Sequence, residues 1–454
     1  MHLLHRVVLA PLAVPFLSAF AAPGPPVQTG GTPPNVLLIV ADDMGVDMLQ
    51  SYGEGTDFPV TPTLDSLAAG GMLFRNAWSN PNCSPTRATI MTGRYGLRTG
   101  IGDVIKETTP ALEPTETTIP ELLTMAGTGY ESGAFGKWHL GNATNGGLLS
   151  PNVAGFHHYD GALGGALQSP PSWMSYYMWP ETVNGSLAVR TDYATSVTVD
   201  SALAWIGNRA GPWFSYVAFN APHRPFHAPP AGLYSENLTG LDPAVNERAF
   251  YKAMIEAMDT EMGRLLKGIG PELENTVVIF VGDNGSPRST TVAPFLPSHG
   301  KATVYEGGIN VPLIASGPGI QAGSECGGLV NTTDLFSTVA ELAGVDVASW
   351  LANTKLDSVS LVPYFADPQL PSLRSWVYAE RFRPVGATGY VRRAMRAIRD
   401  DRYKLILSFD RHQFFDLQSD PFELSNLLIG GLTPAEQDRY DQLKQTMLQL
   451  VTNP

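Results

Sequence analysis

Asn35-Val36-Leu37-Leu38-Ile39-Val40-Ala41-Asp42-Asp43 is where folded structure is expected to begin. Its apolar run is continuous rather than alternating, the pattern of a short strand buried on both faces, and it ends in two carboxylates. Thr276-Val277-Val278-Ile279-Phe280-Val281 repeats the pattern and ends in Gly282-Asp283-Asn284-Gly285. Trp213 to Asn220 and Val311 to Ala315 read as further strands, and Pro120 to Ala126 and Phe250 to Leu266 have helical periodicity. Such alternation predicts an α/β fold with a large mixed, mostly parallel sheet flanked by helices. Ligands bind beyond the carboxyl ends of strands in open sheets of this kind, and both acidic pairs fall there.

The character changes after about Gly344. Arg396 to Arg399 and Tyr403 to Leu407 flank the polar Asp400-Asp401-Arg402 as a hairpin would, and Gln413 to Leu417 offers a third antiparallel strand. Thr433-Pro434-Ala435-Glu436 has capping-box spacing with proline at the first helical position, opening a helix to about Val451. The chain therefore divides into a main domain, 35–345, and a small C-terminal α+β unit with an antiparallel sheet, 346–454. At the other end, His5 and Arg6 precede the apolar Val7 to Phe20, and Ala19-Phe20-Ala21 supplies small residues for cleavage. This reads as an export signal, 1–21, too short and too proline-rich for a membrane anchor, followed by a Pro/Gly-rich tether, 22–34. A periplasmic or secreted protein without a stable membrane anchor is expected.

At 454 residues, 43% hydrophobic and 16% charged, the chain can bury one large core and a smaller one. Its net charge of −13 argues against nucleic acid as substrate or partner, which clustered Lys and Arg would have to hold. An anionic substrate would need cations concentrated in one pocket. The two cysteines, Cys83 and Cys326, form no disulfide framework, and Cys326 reads as a small packing residue.

Cys83-Ser84-Pro85-Thr86-Arg87, continued by Ala88-Thr89-Ile90-Met91-Thr92-Gly93-Arg94, places Cys83 at a helix start, where free N–H groups favour an anion. Arg87, four residues on, shares its face. By geometry alone this is equally a buried structural thiol. The pattern Cys-x-Pro-x-Arg followed by Thr-Gly-Arg, however, resembles the signature of the type I sulfatases, of the alkaline phosphatase superfamily. In that family the cysteine becomes formylglycine through a formylglycine-generating enzyme, and its hydrate attacks sulfur. The resemblance extends to Gly136-Lys137-Trp138-His139-Leu140-Gly141, to Pro222-His223-Arg224-Pro225, to Gly300-Lys301, and to the closing Asp416-Leu417-Gln418-Ser419-Asp420-Pro421-Phe422-Glu423.

The hard oxygen donors Asp42, Asp43, Asp283 and Asn284 suit Ca²⁺ or Mg²⁺ and not Zn²⁺. The resemblance implies that they bind the metal, usually calcium, with the modified Cys83 as a further ligand. It implies that Lys137 and Lys301 bind sulfate, that Arg87 offsets charge, that His139 contacts the formylglycine hydrate and that His223 protonates the departing alcohol. If extended, Lys137 and His139 would project to one face. Asn310 departs from the family, where arginine is common before Val-Pro. The expected substrate is a sulfate monoester of an aryl or carbohydrate alcohol. The alternatives are a phosphonate monoester or phosphodiester hydrolase of the same superfamily, and an inactive sulfated-glycan binding protein. Pro171 to Trp179, rich in aromatics, could stack on a sugar or simply pack against the core.

Overall fold

β1 (Asn35–Ala41) feeds two cores in alternation, Val36, Leu38 and Val40 entering one and Leu37, Ile39 and Ala41 the other. This is the two-residue period of an extended chain whose sheet is covered on both faces. The computed structural model describes residues 33–167, 174–409 and 411–453. The expected export signal, most of the tether and Pro171 to Trp173 of the aromatic segment lie outside the described residues.

β1 is central in a ten-stranded sheet. The others are β2 (Met72–Trp78), β3 (Glu131–Gly136), β4 (His158–Gly161), β5 (Trp179–Val183), β6 (Ser186–Arg190), β7 (Trp213–Ala218), β8 (Thr276–Gly282), β9 (Leu313–Ser316) and β10 (Ser324–Asn331). Their order is β10-β2-β9-β8-β1-β7-β3-β4-β5-β6. Only β5 and β9 run against the rest, so the sheet is mixed and mostly parallel, as the alternation of patterns predicts. β9 begins two residues later than its apolar run, because Pro312 has no N–H for the ladder. Strands such as β3, with Ser132-Gly133-Ala134, and β10, with Gly327-Gly328, lack a continuous apolar run and are not evident in the sequence.

Helices Cys83–Thr92, Ile119–Met125 and Asp334–Leu342 cover the Val36 face, and Ala194–Ile206 and Glu247–Ile269 cover the other. A capping box between Thr118 and Glu121 fixes the start of the second of these helices.

The C-terminal sheet is antiparallel in chain order: β11 (Val377–Phe382), β12 (Ala394–Arg399), β13 (Tyr403–Ser408) and β14 (Arg411–Asp416). Its last three strands are legible in the sequence; β11 is not. The Pro434–Thr452 helix, with the expected Thr433–Glu436 capping box, lays Leu443, Met447 and Val451 on one face of this sheet. The other face packs Val377, Ala379 and Ile406 against Trp78 and Leu329 of the large sheet. Inside that junction the buried Lys404 ammonium lies 2.9 Å from Glu306 Oε1, 2.8 Å from Glu423 Oε1 and 4.7 Å from the centre of the Trp78 ring. The closing motif that contains Glu423 is therefore a fastening between the two sheets. Lys404→Met should leave two carboxylates buried without their cation and destabilise the fold by about 3–5 kcal/mol, read from denaturant unfolding.

Candidate active site

Both acidic pairs leave the sheet side by side, because β1 and β8 are parallel neighbours with Ala41 opposite Gly282. Asp42 still joins the ladder, its N–H donating to Ala221 O at 3.1 Å. Asp43 then turns into the left-handed region at φ 68°, which Asp tolerates better than most residues, and its N–H donates to Asp283 Oδ1 at 3.0 Å. The turn lets consecutive carboxylates enter one pocket instead of opposite faces. Tyr251 of the long Glu247–Ile269 helix fixes it by donating its hydroxyl to Asp43 O at 2.6 Å.

Cys83 is the first residue of its helix, after Asn82, as expected. Its Sγ lies 3.3 Å from Asp42 Oδ1, 3.8 Å from Asp43 Oδ1 and 3.6 Å from Lys301 Nζ, and the residue is 1% exposed. Arg87, one turn on and fully buried, donates from Nε and Nη2 to Asp283 Oδ2 at 3.1 and 2.8 Å, and from Nη1 to Lys137 O at 3.0 Å. Lys301 Nζ donates to Asp43 Oδ1. His223 follows β7 and brings Nε2 to 3.7 Å from Asp43 Oδ2, and its Nδ1 is held by Arg224 O at 2.8 Å.

Lys137 and His139 correct the sequence reading. β3 stops at Gly136, and His139 is left-handed at φ 58°, so the Lys-Trp-His stretch is a turn and not a strand. The pocket is nevertheless reached by Lys137, whose Nζ is 2.5 Å from Asp42 Oδ2. His139 is buried with Nε2 3.3 Å from Ile105 O and no partner for Nδ1 among the described residues. Its ring rests on Gly165, where a Cβ would come within 2.3 Å of His139 Cε1. Only glycine leaves room for the ring.

Burial pushes the Asp42 carboxyl up to about 8, with Asp283 and Asp43 adding to the rise against the pull of Lys137. Burial also raises Asp43, but Lys301, His223 and Lys137 outweigh it and hold that carboxyl below the usual range. The Cys83 thiol is pushed well above its ordinary value by burial, then by Asp283 and Asp42. Burial lowers both His139 and His223, so each is neutral at pH 7.

A hard divalent cation fits this pocket. One ligand atom each from Asp42, Asp43, Cys83 and His223 lie within 4.8 Å of one another. The buried Asn284 Oδ1 has no hydrogen-bond partner among the described residues, while its Nδ2 donates to Asp43 Oδ1 at 2.8 Å. Two carboxylate oxygens, a sulfur, a ring nitrogen and an orphaned amide oxygen form a donor set that can hold a divalent cation. Of the ten residues singled out in the sequence, nine are joined here by direct contacts, and His139 is buried nearby against Ile105 O and Gly165. Unforeseen are the supports: the Tyr216 hydroxyl 3.4 Å from Arg87 Nη1, and Ser286, whose hydroxyl donates to Asp47 Oδ1 at 2.6 Å and lies 3.1 Å from the Tyr251 hydroxyl. No local motif marks them, although Asp47 stands only four residues beyond Asp43.

The family model described as Sulfatase matches residues 34–345, which hold all of these side chains. The chain belongs to the sulfatase family. Sulfatases hydrolyse sulfate esters, and this chain is a sulfuric ester hydrolase of that kind. A second model, N-sulphoglucosamine sulphohydrolase, C-terminal, matches residues 298–453. N-acetylgalactosamine-6-sulfatase of Sus scrofa is 33% identical over 76% of this chain and 69% of its own length. Arylsulfatase A of Homo sapiens is 30% identical over 92% of this chain and 87% of its own. Among solved structures, Ps i-CgsB in complex with a neocarrahexaose superposes with a TM-score of 0.77 at 27% identity, covering 92% of this chain and 93% of that one. Adding Ca²⁺ or Mg²⁺ to the chelated protein should raise its melting temperature, by an increment near 2.7 kcal/mol at a hundred times the Kd. In Asp283→Ala the increment should vanish.

Proposed function

We propose that this sulfatase cleaves sulfate monoesters with a formylglycine made from Cys83, beside a bound divalent cation, Ca²⁺ or Mg²⁺. The observation that supports this most directly is the position of Cys83, at a helix start between two carboxylates and Lys301. Left as a thiol, the group is held protonated by burial and by its acidic neighbours, and a protonated thiol is a poor nucleophile. A formylglycine hydrate at the same place would offer a hydroxyl oxygen instead. When bound, the cation adds positive charge where negative charge gathers in the transition state.

The remaining work falls to side chains of the chain itself. Lys137, Lys301 and Arg87 bring three positive charges to a reaction centre surrounded by anionic oxygens, and such preorganised charge is usually the largest catalytic contribution. His223, at the mouth with its side chain 20% exposed, would give a proton to the departing alcohol oxygen from its imidazolium form, which a bound anionic ester favours over the neutral ring of the empty pocket. Its Nδ1 is fixed by Arg224 O, which leaves Nε2 facing the pocket. His139, neutral and with Nδ1 free of protein partners among the described residues, is suited to take a proton.

At 1% exposure Cys83 cannot enter another enzyme's active site in the folded protein, so a formylglycine-generating enzyme would have to act before the chain folds. We assign catalysis to residues 35–345, with 346–454 as the C-terminal unit, and read residues 1–21 as directing export to the periplasm or beyond. No helix among the described residues is long and apolar enough to cross a membrane. The substrate class is a sulfated sugar or an aryl sulfate, in line with the sugar-sulfate and aryl-sulfate names of the relatives.

Peptide mass spectrometry after expression with a formylglycine-generating enzyme should find the aldehyde or its hydrate at position 83; unmodified cysteine there would sink the proposal. Cys83→Ala should fold with native unfolding behaviour and lose roughly 10³-fold or more in turnover. Phosphonate and phosphodiester esters assayed in parallel should react more slowly than sulfate esters. His223→Gln should slow sugar sulfates by roughly 10²–10⁴-fold, and 4-nitrophenyl sulfate, whose leaving group needs no proton, far less.

A further inference from the structure

Beside the nucleophile a second cluster of charge is built largely from the C-terminal unit. Asp103 is 2% exposed and accepts at Oδ1 from Asn82 Nδ2, 2.7 Å away, the residue immediately before Cys83. Its Oδ2 is shared by two guanidiniums at the end of β11: Arg381 Nε at 3.2 Å and Arg383 Nε at 2.5 Å. Arg381 also donates to Ala302 O at 2.9 Å, next to Lys301, and Ala302 N–H donates to Pro81 O at 2.9 Å. Arg381 therefore ties the segment that carries Lys301 to Asp103, which holds the residue before Cys83, and Arg383 joins the cluster through Asp103.

The charges in this cluster do not balance. Two guanidiniums share one carboxylate, and neither has another acidic partner among the described residues, so one net positive charge remains. It is presented outward, since the Arg383 side chain is 64% exposed, against 24% for Arg381. A structural tie for Asp103 needs one guanidinium, which the better buried Arg381 supplies. In a chain of net charge −13, an unneutralised arginine held beside a reaction centre is placed to attract an anion. The sulfate being cleaved has its own cations deeper in the pocket, namely Lys137, Lys301 and Arg87.

We infer that Arg383 binds a second anionic group on the leaving alcohol, a carboxylate or a further sulfate, so that the enzyme selects sulfate monoesters of polyanionic sugars over those of neutral alcohols. This rests on the sulfatase reading above and names its substrate class. Arg383 can offer a fork of donors to such a group, because only its Nε is engaged by Asp103. The second anion adds to binding and does not enter the chemistry, so it acts on KM.

The test uses the converted full-length enzyme and 4-nitrophenyl sulfate as reporter, with sugars measured as competitive inhibitors. N-acetylgalactosamine 6-sulfate provides one anion; its 4,6-disulfate and a 6-sulfated disaccharide carrying a uronate provide the second as sulfate or carboxylate. The wild type should bind at least one dianionic sugar roughly tenfold more tightly than the monosulfate, the scale of one charge-assisted hydrogen bond at a partly exposed site. Which of the two gains identifies the second group. Arg383→Ala should abolish that ratio while leaving kcat/KM for 4-nitrophenyl sulfate unchanged, and Arg383→Lys should restore part of it. A dianion-to-monoanion ratio that is the same in wild type and Arg383→Ala overturns the inference while the sulfatase reading stands. No turnover of any sulfate ester by converted enzyme would instead remove the reading beneath it.

Discussion

Confinement of like charge governs this molecule. Parallel pairing of β1 with β8 brings Asp42, Asp43 and Asp283 to one spot with almost no exposure to water. Three carboxylates so placed repel one another and lose hydration, a cost of several kcal/mol for each ion unless cations lie close by. Lys137, Lys301 and Arg87 are those cations, drawn from three separate stretches of chain. The helix that Cys83 opens is anchored by the same pairing, since Arg87 holds Asp283 from one turn beyond Cys83. Stability and chemistry thus draw on one set of contacts.

The parts of this arrangement that a sequence can reveal are the ones with local signatures. β1 and β8 were legible because strands buried on both faces have continuous apolar runs, and the acidic pairs because they end those runs. The ten site residues were legible through short motifs, several of which gained meaning only from their resemblance to the sulfatases. Interior β3 and edge strand β10 were not legible, since they carry glycine and serine where a buried strand would carry Val or Ile. The conformation at Lys137 and His139 was left conditional on an extended chain, because a period-two argument cannot detect a left-handed residue at position 139. Tyr216, Ser286 and Tyr251 stayed hidden for another reason: each acts across a sequence distance of 35 to 208 residues or through partners no motif joins.

The C-terminal unit is more than an appendage. One face of its sheet is stapled to Trp78 and Leu329 through an apolar layer that contains the Lys404–Glu306–Glu423 cluster. Glu306 lies five residues beyond Lys301, so the same fastening steadies the segment that carries the lysine paired with Asp43. The end of β11 reaches the segments next to Cys83 and Lys301 through Arg381 and Arg383, which share Asp103. A change in how the two sheets pack would be felt at the reaction centre.

Burial of Cys83 also has a consequence for the life history of each molecule. If Cys83 is the residue converted, a chain already folded around the unmodified thiol keeps it out of reach of anything of enzyme size, and a molecule that missed conversion would stay inert until it is degraded. Any preparation is then two populations whose proportions were set during biosynthesis. Its specific activity measures the efficiency of that early encounter as much as the quality of the catalyst, and a low value can describe a slow maturase acting on a perfectly competent pocket.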